Sequence, residues 1–149
     1  MKSKTFSVSL SLCLALLIAA AGCGKTPADS GTTGTTGTTV VKVTDVSLGR
    51  AIGADKSITD STDKFRVGDT IYASVTTDGS SPSATLRARW TFEDGQTVDE
   101  STRTIAPGNR ERTEFHISKP NGWPAGKYKV EVFLNDQSAG MKNFEVQAH

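Results

Sequence analysis

Residues 85–93 read TLRARWTFE, and their alternation decides the fold class. Leu86, Ala88, Trp90 and Phe92 fall on one side of an extended chain, with Arg87, Arg89, Thr91 and Glu93 on the other. Successive side chains of a β-strand point to opposite faces, so this is a strand with one face in a core and one in water. The period returns at 127–134, where Tyr128, Val130, Val132 and Leu134 oppose Lys127, Lys129 and Glu131; only Phe133 interrupts the polar face. Shorter runs at 69–77 (Ile71, Ala73, Val75) and 112–118 (Thr113, Phe115, Ile117) repeat it. Residues 40–48, 96–105 and 140–147 bring the expected strands to seven, and an eighth falls around 51–59.

The punctuation between these runs agrees. Asp94-Gly95 and Asn135-Asp136 each separate two strand patterns and read as hairpin turns, where positive φ is needed. Residues 78–82 (DGSSP) form a longer loop, and 120–124 (PNGWP) a corner. No stretch sustains a helical repeat. Seven or eight short strands at this spacing predict an all-β, antiparallel β-sandwich over residues 40–149.

Upstream the chain is built differently. Met1 to Lys4 carry two lysines, an apolar run extends from Phe6 to Ala21, and small residues precede Cys23. A basic start, a short apolar centre and a small-residue cut site make residues 1–22 a secretory signal peptide. Cutting near Ala21 would leave Cys23 as a lone thiol in a secreted chain, an odd residue that needs its own explanation. Cys13 lies inside the removed segment, so the mature chain has no internal disulfide. Residues 24–39, GKTPADSGTTGTTGTT, have nothing apolar larger than Pro or Ala and read as a flexible linker. As a Gly-rich coil it would span roughly 20–24 Å.

The composition narrows function. The chain has 149 residues, 17 Lys+Arg and 16 Asp+Glu, for a formal charge of +1. A nucleic-acid partner would call for a basic excess, so none is expected. Two His and two Cys are too few for a standard zinc site, and no cofactor, metal or small-molecule substrate is indicated. Ser61 and Lys64 match a Ser-x-x-Lys spacing by chance, since the helix that chemistry needs is missing. His116 lies two residues from Glu114 and from Ser118, about 6–7 Å along a strand, too far for a nucleophile–base hydrogen bond. A non-enzymatic domain is expected.

Three candidate sites remain. Arg87, Arg89 and Arg103, with Arg110 and Arg112, crowd three consecutive strands among interleaved acids. Cross-strand ion pairs explain them, and a partner-binding surface is the sharper alternative. Trp123, between Gly122 and Pro124, either plugs the end of the sandwich or stands out as a binding anchor. Asp55, Asp60 and Asp63 share one polar stretch, which leaves a calcium-stabilised adhesion-type module as an alternative function.

Two resemblances add to this. Ala20-Ala21-Gly22-Cys23 resembles the bacterial lipoprotein cleavage box, although Ala20 stands where Leu is usual. The resemblance implies a lipid on Cys23. Gly24, in place of an Asp that favours inner-membrane retention, implies the outer membrane, with the domain facing the periplasm or the cell surface. Gly126-Lys127-Tyr128-Lys129-Val130 resembles the tyrosine corner of immunoglobulin-like domains, with Trp90 at the buried Trp of the third strand and Val130 where the second Cys would stand. Residues 122–136 and 144–146 resemble the C-terminal strands of immunoglobulin-like (fibronectin III-like) domains in bacterial lipoproteins. The resemblance implies a non-catalytic envelope module that binds another envelope protein. An alternative it leaves open is a protease inhibitor acting through the loop at 78–83.

Overall fold

The computed structural model describes residues 40–148, and the expected signal peptide (1–22), Cys23 and the expected linker (24–39) lie outside the described residues. Nine strands and no helix are found there: β1 (Lys42–Ile52), β2 (Ile58–Ser61), β3 (Lys64–Arg66), β4 (Ile71–Asp78), β5 (Ala84–Phe92), β6 (Gln96–Ile105), β7 (Glu111–Ile117), β8 (Gly126–Leu134) and β9 (Gln137–Gln147). They form two sheets, β2-β1-β4-β7 and β3-β9-β8-β5-β6. The core fills the space between them.

The expected faces hold on the central strands. Leu86, Ala88 and Trp90 of β5 and Val130 and Val132 of β8 are fully buried, facing Ile71, Ala73 and Val75 of β4. Phe144 of β9 joins the aromatics, stacked on Tyr128 at 5.3 Å and edge-on to Trp90 at 5.8 Å and Phe65 at 5.5 Å. Each such side chain removed from water stabilises the fold by about 1.5–3 kcal/mol. The Trp90 Nε1 is buried without a hydrogen-bond partner among the described residues.

The turns carry the backbone the sequence called for. Asn135 and Asp136 have φ of 49° and 64°, the two left-handed residues of a two-residue hairpin. Gly95, at φ 91°, closes the β5–β6 turn with its N–H donating to the Phe92 carbonyl at 2.8 Å.

Two expectations need correction. The count is nine, not seven or eight, because β3 is a strand of three residues that period counting passes over. The sandwich is also not wholly antiparallel: β3 pairs in parallel with β9, Phe65 opposite Val146. Trp90 and Tyr128 accordingly sit on the fifth and eighth strands. On the outer face of β4, Ser74 and Thr76 are buried rather than solvated. Register shifts at Gly49/Ala51 and Ala51/Ile52 curl the end of β1 and the turn after it back over that sheet. Ser74 Oγ then donates to the Lys56 carbonyl at 2.6 Å, and Arg112 pairs with Asp55 at 3.3 Å.

Candidate functional site

The outer face of the five-stranded sheet carries Arg87 and Arg89, placed there because their neighbours on β5 point into the core. Arg89 donates to Glu100 at 2.6 Å, and Arg87 reaches both Glu100 at 3.4 Å and Asp136 at 3.2 Å. The Arg89 hydrogen bond holds the Glu100 carboxyl below the usual carboxylate range. Phe133, opposite Arg87, lies under its guanidinium at 4.3 Å, which accounts for an aromatic on the polar face.

Arg103 does not join them. It stands opposite Leu86, so it projects from the inner face of β6. Its Nε donates across the open flank to the Glu114 carbonyl of β7 at 3.0 Å, above the Phe115 ring. The three arginines expected on one surface are therefore divided between two, and their charge is matched by acids.

Trp123 is only 6 % exposed. Its backbone N–H donates to the Val67 carbonyl at 2.7 Å and its Nε1 to the Asp69 carbonyl at 3.1 Å. It plugs the sandwich end and does not project as an anchor. Next to it, Tyr128 Oη donates to the Pro124 carbonyl at 2.8 Å, closing the corner as the resemblance implies. Burial, and then the charge of Glu93, push the Tyr128 phenol up from its ordinary value.

The other candidates come apart. Asp55 is bound by Ser57 and Arg112, and Asp60 pairs with Arg50. Among the described residues no three His, Cys, Asp or Glu side chains are grouped to hold a metal. His116 faces Glu114 through Nδ1 on the exposed face of β7. The loop at 78–83 is folded onto the body, with the Ser81 N–H donating to the Pro107 carbonyl at 2.9 Å and Ser81 Oγ to the Ser83 carbonyl.

The arrangement that sequence reasoning missed is a groove of about 530 Å³ between the first half of β6 and the 118–124 corner. Phe92, Trp123 and Tyr128 contribute aromatic edges, with Val98, Pro124 and Lys119 at the rim. Val98 is 38 % exposed, one of the few large apolar side chains left open. The signal was present in β6, QTVDESTRTI, a strand with no apolar alternation. Such a strand has no complete face for a core. Lys42 stands opposite Asp78 at one end of β4, and Ile117, leading into the corner, stands opposite Ile71 at the other. The groove thus lies at the end of the sandwich remote from Val40, about 23 Å away along an eight-residue strand. A second cleft, about 480 Å³, opens at the same end among Lys64, Lys127, Lys129, Glu93 and Glu145. Its interleaved charges favour neither sign.

No protein-family model matches the chain, and no curated protein matches it in sequence. Among solved structures, an immunoglobulin-like protein from Pseudomonas aeruginosa aligns over 74 % of this chain and 99 % of its own, at 18 % identity and a TM-score of 0.50. An alkylpurine DNA glycosylase of Pseudomonas fluorescens, bound to DNA, aligns at 17 % identity over 72 % of this chain, with a TM-score of 0.48; the chain spans 30 % of its length. A CARDB domain of Pyrococcus furiosus, in complex with metal ions, aligns at 12 % identity over 76 % of this chain and 90 % of its own, with a TM-score of 0.47. The fold is an immunoglobulin-like β-sandwich, and at these identities the likeness speaks of fold alone.

Proposed function

We propose that the protein is an envelope lipoprotein, held through a lipid on Cys23 at the outer membrane, whose sandwich binds another envelope protein without catalysing a reaction. The observation that carries this reading is the groove beneath β6. It joins aromatic edges and Val98 at the end of the domain farthest from Val40, where the linker enters. A domain tethered at one end and shaped at the other is suited to presenting a contact surface. The charged side chains on the adjacent sheet face hold one another, so the groove, where Val98 and aromatic edges adjoin Asp99 and Lys119, is the part left to receive a partner's side chain. The role of the linker is to keep that surface within reach of the membrane.

Two measurements test this. Intact-mass analysis of membrane-purified protein should show a diacyl or triacyl Cys23 at the N-terminus, and Cys23→Ala should remain unprocessed or leave the membrane. An unmodified Cys23 would overturn the anchor. Val98→Arg places a charge in the groove mouth and should abolish co-purification of the partner while leaving the thermal midpoint in place. Undiminished capture would move the binding surface elsewhere.

A further inference from the structure

On one flank of the sandwich two sheet edges run side by side, β6 and β7. Arg103 occupies the outward carbonyl of Glu114 on β7. The edge of β6 is ten residues long, and Ile105 alone among them is buried. A free edge of that length presents a row of unpaired N–H and C=O groups to any second strand.

The charges along β6 select that strand. Asp99 stands opposite Trp90 and Arg103 opposite Leu86, and both of those β5 residues face the core. Asp99 and Arg103 therefore share the inner face, four residues apart, with Ser101 midway. Asp99 has no ion-pair partner among the described residues, and the Arg103 side chain, 52 % exposed, has only a loose one, its Nη2 lying 3.9 Å from Glu114 Oε2. An antiparallel copy of β6 related by a two-fold axis at Ser101 sets Asp99 against Arg103 twice, with Glu100 opposite Thr102. Moving the axis to Asp99, Glu100 or Arg103 sets like charges face to face, which is destabilising in a cross-strand pair. Moving it to Thr102 leaves Asp99 opposite Ile105. One register matches charge, and its neighbours do not.

We propose that two copies of this chain associate through β6 in that register, giving an isologous contact that continues the five-stranded sheet from one copy into the next. This rests on the edge and its charges and not on lipidation at Cys23; Val98 and Asp99 also line the groove, so a second copy on β6 and a partner in the groove share those residues.

The test is disulfide trapping with the full-length chain in intact cells, using copper phenanthroline as oxidant. Residues directly opposite in an antiparallel pair have Cα atoms about 4.5–5.5 Å apart, within disulfide reach. Ser101→Cys should give a covalent dimer, whereas the parent chain, with Cys13 and Cys23 alone, and Ser138→Cys on β9 should not. In the Ser101→Cys background, Asp99→Arg and Arg103→Asp should each cut the dimer at least tenfold. Co-expressing those two variants with tags of different length should restore a mixed dimer to near the parental yield, because each then meets its opposite charge. Failure to fold would remove the mixed dimer as well. No dimer from Ser101→Cys, equal yields from all combinations, or an adduct with a protein of different mass in place of the dimer would each overturn the proposal.

Discussion

β3 and β6 border the same five-stranded sheet, and they could hardly be less alike. β3 has three residues, one of which, Phe65, is wholly buried against Phe144. β6 has ten, and Ile105 alone is buried. The short strand is fixed by one aromatic and three parallel pairings with β9; the long one is fixed by its ladder to β5. Length is thus a poor guide to what an edge strand contributes. Core burial makes β3 a structural element, and its lack leaves β6 open to solvent along most of its length.

The comparison can be broken most directly at Phe65. Phe65→Ala should cost about 3–5 kcal/mol, as much as Trp90→Ala at the centre of β5, and enough to unfold a marginal domain. Urea melts in which Phe65→Ala keeps the parental midpoint would show that β3 is dispensable. Tyr128 lies between the two edges, lining the groove and closing the corner. Tyr128→Phe should lose about 1 kcal/mol by the same measurement, the net worth of one hydrogen bond. No loss would remove the corner from the account of stability. On β6, Thr102→Ala should stay within about 0.5 kcal/mol of the parent, and a larger drop would contradict the contrast.

Acid gives the smallest effect. Arg89 holds the Glu100 carboxyl below its usual range, and the Ser57 hydrogen bonds do the same for Asp55. A carboxyl with a depressed folded pKa adds stability above its unfolded value, near 4, and loses it as pH falls through the folded one. The thermal midpoint should therefore decline on acidification below about pH 4. Glu100→Gln should decline slightly less, both carboxylates being exposed; a slope unchanged by that substitution would show the Arg89 pair to be thermodynamically silent.

Where the chain alternates, the sequence was sufficient. The faces of β5 and β8, the 96–105 limits of β6 and both hairpin turns could be read directly, because each rests on period two or on a residue that accepts positive φ. β3 was hidden for a physical reason: three residues, Lys64-Phe65-Arg66, offer no period to count, and the strand exists through Val146, a partner far along the chain. The division of the arginines was hidden likewise. Arg87, Arg89 and Arg103 share a parity in the sequence, and only the β5–β6 register, which sets Arg103 against Leu86, turns one of them inward. The groove is a product of two distant segments, and its one local trace was a strand without an apolar face.

The parallel pairing of β3 with β9 has a consequence in time as well as in space. A chain made from its N-terminus exposes Phe65 early, while Phe144 and Val146 belong to the last strand to appear. Contacts between distant parts of a chain form slowly, since the intervening loop must close first. Until its final residues are free, the nascent domain can complete only the four-stranded sheet, which ends at Ile117, and it carries an unpartnered aromatic near its front. The appearance of β9 then gives Phe65 its parallel partner and joins β3 to the five-stranded sheet.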